Sequence, residues 1–239
     1  MRTLLIKCYS IHMADPVKGG PGRRELKAQA TRRRVLDAAE RLFVRDGYAA
    51  TSISAIADEG DVAVQTVYAV FSTKRSILAE LLDLRIAGDD QLIPVRDRES
   101  WQAMEHGTDA RLQLTQLAAI ATGIGQRIAA LYEVMAGAAG SDPEIAAMYA
   151  ERQRARYLDQ HGLALVLAHR GSLRAGLSAT RAADIMWTLA SPRTYHAMVD
   201  QRGWAADEYE HWLADMLASA CLPAGTPSGG SGTPADVQG

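Results

Sequence analysis

Between Thr51 and Lys74 the chain reads TSISAIADEGDVAVQTVYAVFSTK, and this stretch constrains the fold more than any other. Ile53, Ile56 and Ala57 recur at i, i+3, i+4, which gives a short helix one buried face. Thr51 and Ser52 precede it, where a hydroxyl can accept from the free N–H groups of a first helical turn. Gly60-Asp61 makes a tight turn. Val62, Val67 and Tyr68 then form the inward side of a second helix, leaving Ala63, Val64, Gln65 and Thr66 outward at its front end. Such a pair fits a DNA-reading helix-turn-helix. On spacing alone it fits two packed helices of any all-α protein equally well.

Charge separates these readings. The chain has 239 residues and a net charge of -2, so any affinity for nucleic acid must come from a local patch. Between Lys18 and Arg45 nine bases (Lys18, Arg23, Arg24, Lys27, Arg32, Arg33, Arg34, Arg41 and Arg45) oppose three acids (Glu25, Asp37 and Glu40). This local excess of six is the electrostatic footprint of a phosphate-facing segment, with a solvated helix face as the alternative. Few stretches alternate as a strand would, and the expected class is all-α. Cys8 and Cys221 form no metal spacing or disulfide framework, which suits a reducing cytoplasm. No apolar run approaches the roughly 18 residues of a membrane span. The opening segment MRTLLIKCYSIHMADP lacks the core and cleavage site of a signal peptide, and Met13 is an alternative start.

Along the chain, residues 1–22 are expected to be disordered, as is the low-complexity tail 222–239. Val35, Leu36, Ala39, Leu42 and Phe43 mark a first helix closed at Asp46-Gly47. Phe71-Ser72-Thr73 ends the third, and Ser72 or Thr73 caps a fourth from Lys74 with Ile77, Leu78, Leu81, Leu82 and Ile86. A polar connection with a short helix near Trp101 follows. The apolar stretch Asp109–Ala139 contains Gly123 and Gly125, which mark a kink or a break. Ser141-Asp142-Pro143-Glu144 starts a helix running to about His169. Helices from Ser178, from Ser191-Pro192 to Gly203, and from about Asp207 to Ala220 complete the chain.

These residues carry a family resemblance. Ala38, Ala39, Leu42, Phe43, Gly47-Tyr48, Thr51, Ile56-Ala57, Val62, Thr66-Val67-Tyr68, Phe71 and Lys74 together resemble the N-terminal domain of the TetR family of bacterial transcriptional regulators. Two features depart from it. Asp61 stands where the family often has Gly, and Ala69-Val70 replaces an aromatic-His pair.

The resemblance implies a helix-turn-helix DNA-binding domain at 23–73 and a larger helical effector and dimerisation domain at 74–221. The protein would be a homodimeric repressor that binds double-stranded operator DNA and is released by a small apolar or aromatic ligand, with no cofactor. A regulator without ligand, an activator, and an all-helical enzyme or carrier are the alternatives. Ala63, Val64, Gln65 and Thr66 would face the major groove, where Gln can pair with adenine and a Thr methyl can meet thymine. Tyr68, Lys74, Thr51 and Ser52 would meet phosphates, Tyr68 being otherwise a core aromatic. Arg32, Arg33 and Arg34 would follow the backbone or enter a minor groove. Trp101, Tyr132, Met135, Tyr149 and Tyr157 are pocket candidates, or plain core. Trp187, Met198, Trp212 and Met216 are interface candidates, or monomer core. No nucleophile elbow, phosphate loop or dinucleotide motif is present. His161 and His169 could share a helix face, but no third metal ligand accompanies them.

Overall fold

A computed structural model describes residues 22–88, 93 and 95–224; the expectations for the two chain ends and for Met13 lie outside the described residues. Among the described residues the structure is helical throughout, without strands. Helix α1 spans Arg23–Asp46, α2 Ile53–Glu59, α3 Val64–Val70 and α4 Lys74–Ala87. A 3-10 turn at Val95–Asp97 leads to α5, Glu99–His106, then α6, Ala110–Ala138, and α7, Pro143–His169. Helix α8 spans Ala179–Leu189. The short α9, Pro192–Tyr195, continues as a π-helical turn through Gln201, and α10 spans Ala206–Cys221.

Local chemistry sets most boundaries. Ser52 accepts from the Ala55 amide, Asp142 from those of Glu144 and Ile145, and Ser178 from that of Arg181, so each cap satisfies an otherwise orphaned donor. Thr73, rather than Ser72, caps α4, and it forms a reciprocal capping box with Ser76. Pro143 and Pro192 occupy first-turn positions, where a missing N–H costs nothing.

Helix α6 does not break at Gly123 or Gly125: its 29 residues run as one helix. Gly125 serves close packing instead. A Cβ there would stand 2.6 Å from a ring carbon of Tyr195. The glycine lets the α9 aromatic lie directly on the α6 backbone.

Two apolar clusters organise the molecule. The first joins α1–α4 through Phe43, Ile56, Val67, Phe71 and Leu81, and extends into α6 and α7 through Ile128, Leu131, Tyr132, Met135 and Ile145. The second joins α5–α8 and α10 through Trp101, Leu117, Leu163, Met186 and Leu213. The first cluster therefore packs α4 both with α1–α3 and with α6 and α7.

Polar clamps reinforce α4. Arg32 pairs with Glu80, and Arg85 with Asp37 and Glu40, all to α1. On the other side Arg152 of α7 meets Asp83 at 2.7 Å and the Ala79 carbonyl at 3.1 Å. Arg127 of α6 donates to the last carbonyls of α4, those of Arg85 at 2.8 Å and Ile86 at 3.3 Å. No helix among the described residues is long and apolar enough to cross a membrane.

Candidate nucleic-acid interface

The turn between α2 and α3 divides two conformational tasks between adjacent residues. Gly60 has ordinary right-handed dihedrals, and a Cβ there would lie 3.1 Å from the Ile56 carbonyl and 3.5 Å from Ala38. It is small so that α2 can rest on α1. Asp61 makes the reversal, at φ 48°, and is the sole non-glycine residue at positive φ among those described. Asp tolerates this region better than most side chains. The Val62 amide then returns to the Ala57 carbonyl at 3.0 Å, closing the turn.

Helix α3 shows a narrow outward face. Ala63, Gln65, Tyr68 and Ala69 are exposed, Thr66 is half-buried, and Val67 is fully buried. Tyr68, placed on the inward side from its spacing, is 56% exposed and projects into solvent. Val64, placed outward, is half-buried and packs on the first cluster. Ala69 joins the outward surface unannounced. Its position four residues after the outward Gln65 is the signal that could have placed it.

Several expected phosphate contacts already have partners inside the protein. Thr51 is 3% exposed, and its hydroxyl donates to the Gly47 carbonyl at 2.8 Å. Ser52 is exposed but caps α2. Lys74 donates to the Tyr48 and Thr51 carbonyls at 2.6 and 2.8 Å, with its ammonium 4.2 Å from the Tyr48 ring centroid. Burial lowers its pKa, opposed in part by Asp142. The lysine thus ties α4 to the loop between α1 and α2.

The basic run divides as well. Arg32 pairs with Glu80 and stands 4.7 Å over the Phe71 ring. Arg41 meets Glu59 at 2.7 Å, and Arg34 approaches Asp61 at 3.9 Å. Arg45 meets Asp46. Acids of α2, the turn and α4 therefore offset part of the six-charge excess counted between Lys18 and Arg45. Arg23, Arg24, Lys27, Arg33 and Arg34 remain exposed along α1.

The proposed pocket residues fall into two groups. Tyr132 and Met135 are buried in the first cluster, with the Tyr149 ring 5.5 Å from that of Tyr132. Trp101 is buried in the second cluster, and Tyr157 stacks on His161 at 5.7 Å. Two open concavities lie elsewhere. One of about 360 Å³ runs between the end of α4, the 3-10 turn and α6, past Ile86, Val95, Ile120 and Ile124. The other, about 580 Å³, lies between the α1–α2 loop and α6, past Phe43, Tyr48, Val134 and His196.

The interface candidates mostly pack within the chain. Trp187 lies under the Arg156 guanidinium, Trp212 packs edge-on against Trp204, and Met198 is half-buried in the second cluster. Met216 of α10 is 38% exposed. No group of three metal-ligating side chains occurs among the described residues.

Comparison with known proteins places this geometry. Residues 35–81 match the model for bacterial regulatory proteins of the tetR family. A search of curated protein sequences returns no match. Among solved structures, the fold is similar to a putative transcriptional regulator from Saccharomonospora viridis in complex with choline, with TM-score 0.63 and 21% identity over 82% of this chain and 100% of that one. It is similar to SmeT bound to triclosan, with TM-score 0.64 and 21% identity over 82% and 94%. SmeT is the repressor of the Stenotrophomonas maltophilia multidrug efflux pump SmeDEF. It is also similar to FadR from Bacillus subtilis in complex with stearoyl-CoA, with TM-score 0.62 and 18% identity over 79% and 98%. At these identities the likeness is one of fold.

Proposed function

We propose that this chain, whose residues 35–81 match the model for bacterial regulatory proteins of the tetR family and whose fold is similar to those of solved regulators, is a sequence-specific DNA-binding repressor, released by a small ligand, and not an enzyme. The observation that carries the reading is the outward face of α3. Gln65 is its one exposed side chain able to pair bidentately with a base edge, flanked by the small Ala63 and Ala69 and by the exposed phenol of Tyr68. A seven-residue helix held at a packed turn suits a major groove, and exposed arginines on α1 supply attraction to phosphate.

One such helix reads half a site, so a homodimer is the working form, with half-sites about 34–36 Å apart. The exposed Met216 on α10 favours the α8–α10 region as its interface. Ligand response is supported by the complexes of the similar structures with choline, triclosan and stearoyl-CoA. Within this chain, the route from effector domain to reading helix is α4, held by Arg127 and Arg152 on one side and by α1 on the other. A ligand that binds two α4 positions unequally shifts their populations and the separation of the reading helices.

Fluorescence anisotropy with DNA flanking the gene tests the proposal. Nanomolar, competitor-resistant binding is expected. Binding no tighter than to unrelated DNA of equal length would remove it.

A further inference from the structure

Most arginines that tie this molecule together face an acid. Arg32 faces Glu80, Arg85 faces Asp37 and Glu40, Arg152 faces Asp83, and Arg193 faces Glu133. Arg156 differs. Helix α7 aims Tyr149, Gln153 and Arg156, at i, i+4 and i+7, toward Tyr132 of α6 and Trp187 of α8. There the guanidinium donates from Nη1 to the Trp187 carbonyl at 2.6 Å and from Nη2 to the Gln153 Oε1 at 3.3 Å. Its carbon stands 4.8 Å over the Trp187 ring. Its Nε is enclosed without an acceptor. No carboxylate among the described residues lies in ion-pair reach of it, and burial depresses its pKa.

We propose that Arg156 anchors a binding site for a small organic carboxylate with a planar apolar body. The proposal rests on the regulator reading for its consequence, not for the binding itself. A buried cation without a counter-ion is costly, and a cation already fixed by neighbours is preorganised for an anion. Guanidinium is the cation whose fork matches a carboxylate in two parallel bonds.

The surrounding groups fit that head and a flat body behind it. Gln153 Oε1 accepts from both the Tyr132 hydroxyl and Arg156, so one neutral amide oxygen serves a phenol and a cation. A ligand carboxylate offers both donors a stronger acceptor. Gln153 Nε2 donates to the Tyr149 hydroxyl at 3.2 Å, which keeps the amide oriented with its oxygen toward the cation. Aromatic rings surround the cation, with Tyr132 and Tyr149 5.5 Å apart and Trp187 beneath the guanidinium, and a flat ligand body would have to part them to stack there. The site also has a path to α4: Arg152, one turn earlier on α7, holds Asp83 and the Ala79 carbonyl.

The test uses the full chain without DNA. Benzoate, phenylacetate, cinnamate and indole-3-acetate are titrated by calorimetry and thermal shift, with benzamide and acetate as controls. At least one aromatic carboxylate is expected to bind with a thermal shift of several degrees, while benzamide and acetate give none. Arg156→Gln should lose that response at least tenfold while remaining folded. Gln153→Glu supplies the missing carboxylate from within, so it should raise the melting temperature and abolish the response. The proposal is overturned if none of the four acids binds, if benzamide or acetate matches them, or if Gln153→Glu lowers the melting temperature and still binds them as the parent does. DNA affinity measured with the bound acid then reads its regulatory consequence. Failure to bind DNA at all would count against the regulator reading and leave the carboxylate site standing.

Discussion

The Lys74 ammonium donates to the Tyr48 carbonyl oxygen at 2.6 Å, joining the first residue of α4 to the loop that delivers the reading helices. A second bond, to the Thr51 carbonyl at 2.8 Å, fixes the residue just ahead of the α2 cap. The cation is thereby an internal strut, in a motif position expected from sequence to meet phosphate.

Lys74→Met keeps much of the stem and removes both bonds. Charge-assisted hydrogen bonds contribute about 1.5–3 kcal/mol each at most, and the partly exposed setting places the loss of this pair near 2 kcal/mol. In a chain of this size that lowers the melting temperature by about 4–8 °C. The salt dependence of DNA binding separates strut from phosphate contact. If Lys74 acts as a strut, the slope of log affinity against log salt stays unchanged in the variant. A direct phosphate contact would shrink it by about 0.9.

Gln65 and Tyr68 share one exposed face but are expected to fail differently. Gln65→Ala should cost about 1–3 kcal/mol on the preferred site and little on unrelated DNA, because only base pairing carries sequence information. Tyr68→Phe should cost roughly 0.5–1.5 kcal/mol on every sequence alike, as the loss of one hydrogen bond to the backbone would. Parallel titrations of both variants on specific and unrelated duplexes check this. Equal losses for Gln65→Ala on both duplexes would make Gln65 a positioning residue.

What was legible in the sequence follows the range of the interactions. The caps at Ser52, Asp142 and Ser178 act within three residues, and all three could be read from the chain. The same holds for Asp61, whose backbone preference is its own. Gly125 was not legible, because its reason is the Tyr195 ring seventy residues away. The basic footprint was read from the run Lys18–Arg45 alone, while Glu59 and Glu80, which offset part of it, come from α2 and α4. Tyr68 and Val64 exchanged faces because a helix of seven residues offers too few turns for periodicity to fix its phase. Arg156 stands at every second position with Arg152 and Arg154, and nothing in that local row marks it out. Its burial depends on α8 lying across it.

Asp159 gives the stability a pH dependence of defined sign. Burial on α7 raises its carboxyl to about 6; Arg96 at 3.9 Å opposes the rise, and Asp97 and Glu105 add to it. The unfolded chain binds this proton with a pKa near 3.9. Between about pH 4 and 6 the folded state therefore holds more proton than the unfolded one, and stability falls as pH rises through that window. Above it the effect is constant. Asp159→Asn should remove this component and raise the melting temperature at pH 7. Melting curves from pH 4 to 8 for both proteins check it, and a parallel offset between the two curves across that range would contradict it.

Asp61 holds the turn of the reading unit at φ 48°, where its Cβ is crowded by its own backbone. Its side chain is fully exposed, and its one ion-pair contact, to Arg34 at 3.9 Å, is loose. Little packing is lost when it is replaced, so backbone conformation decides the outcome. Asp61→Gly relieves the crowding but frees the unfolded chain, and the two effects should leave a change within about 1 kcal/mol of zero. Asp61→Val adds branching at a carbon already crowded and should cost roughly 1–2 kcal/mol. Chemical denaturation of the pair measures the difference. DNA affinity supplies a second readout, because the turn fixes the angle between α2 and α3: Asp61→Val should weaken binding at temperatures where the domain is still fully folded, while Asp61→Gly should bind as the parent does. Equal stability of the two variants would place the turn's tolerance elsewhere than in the backbone of residue 61.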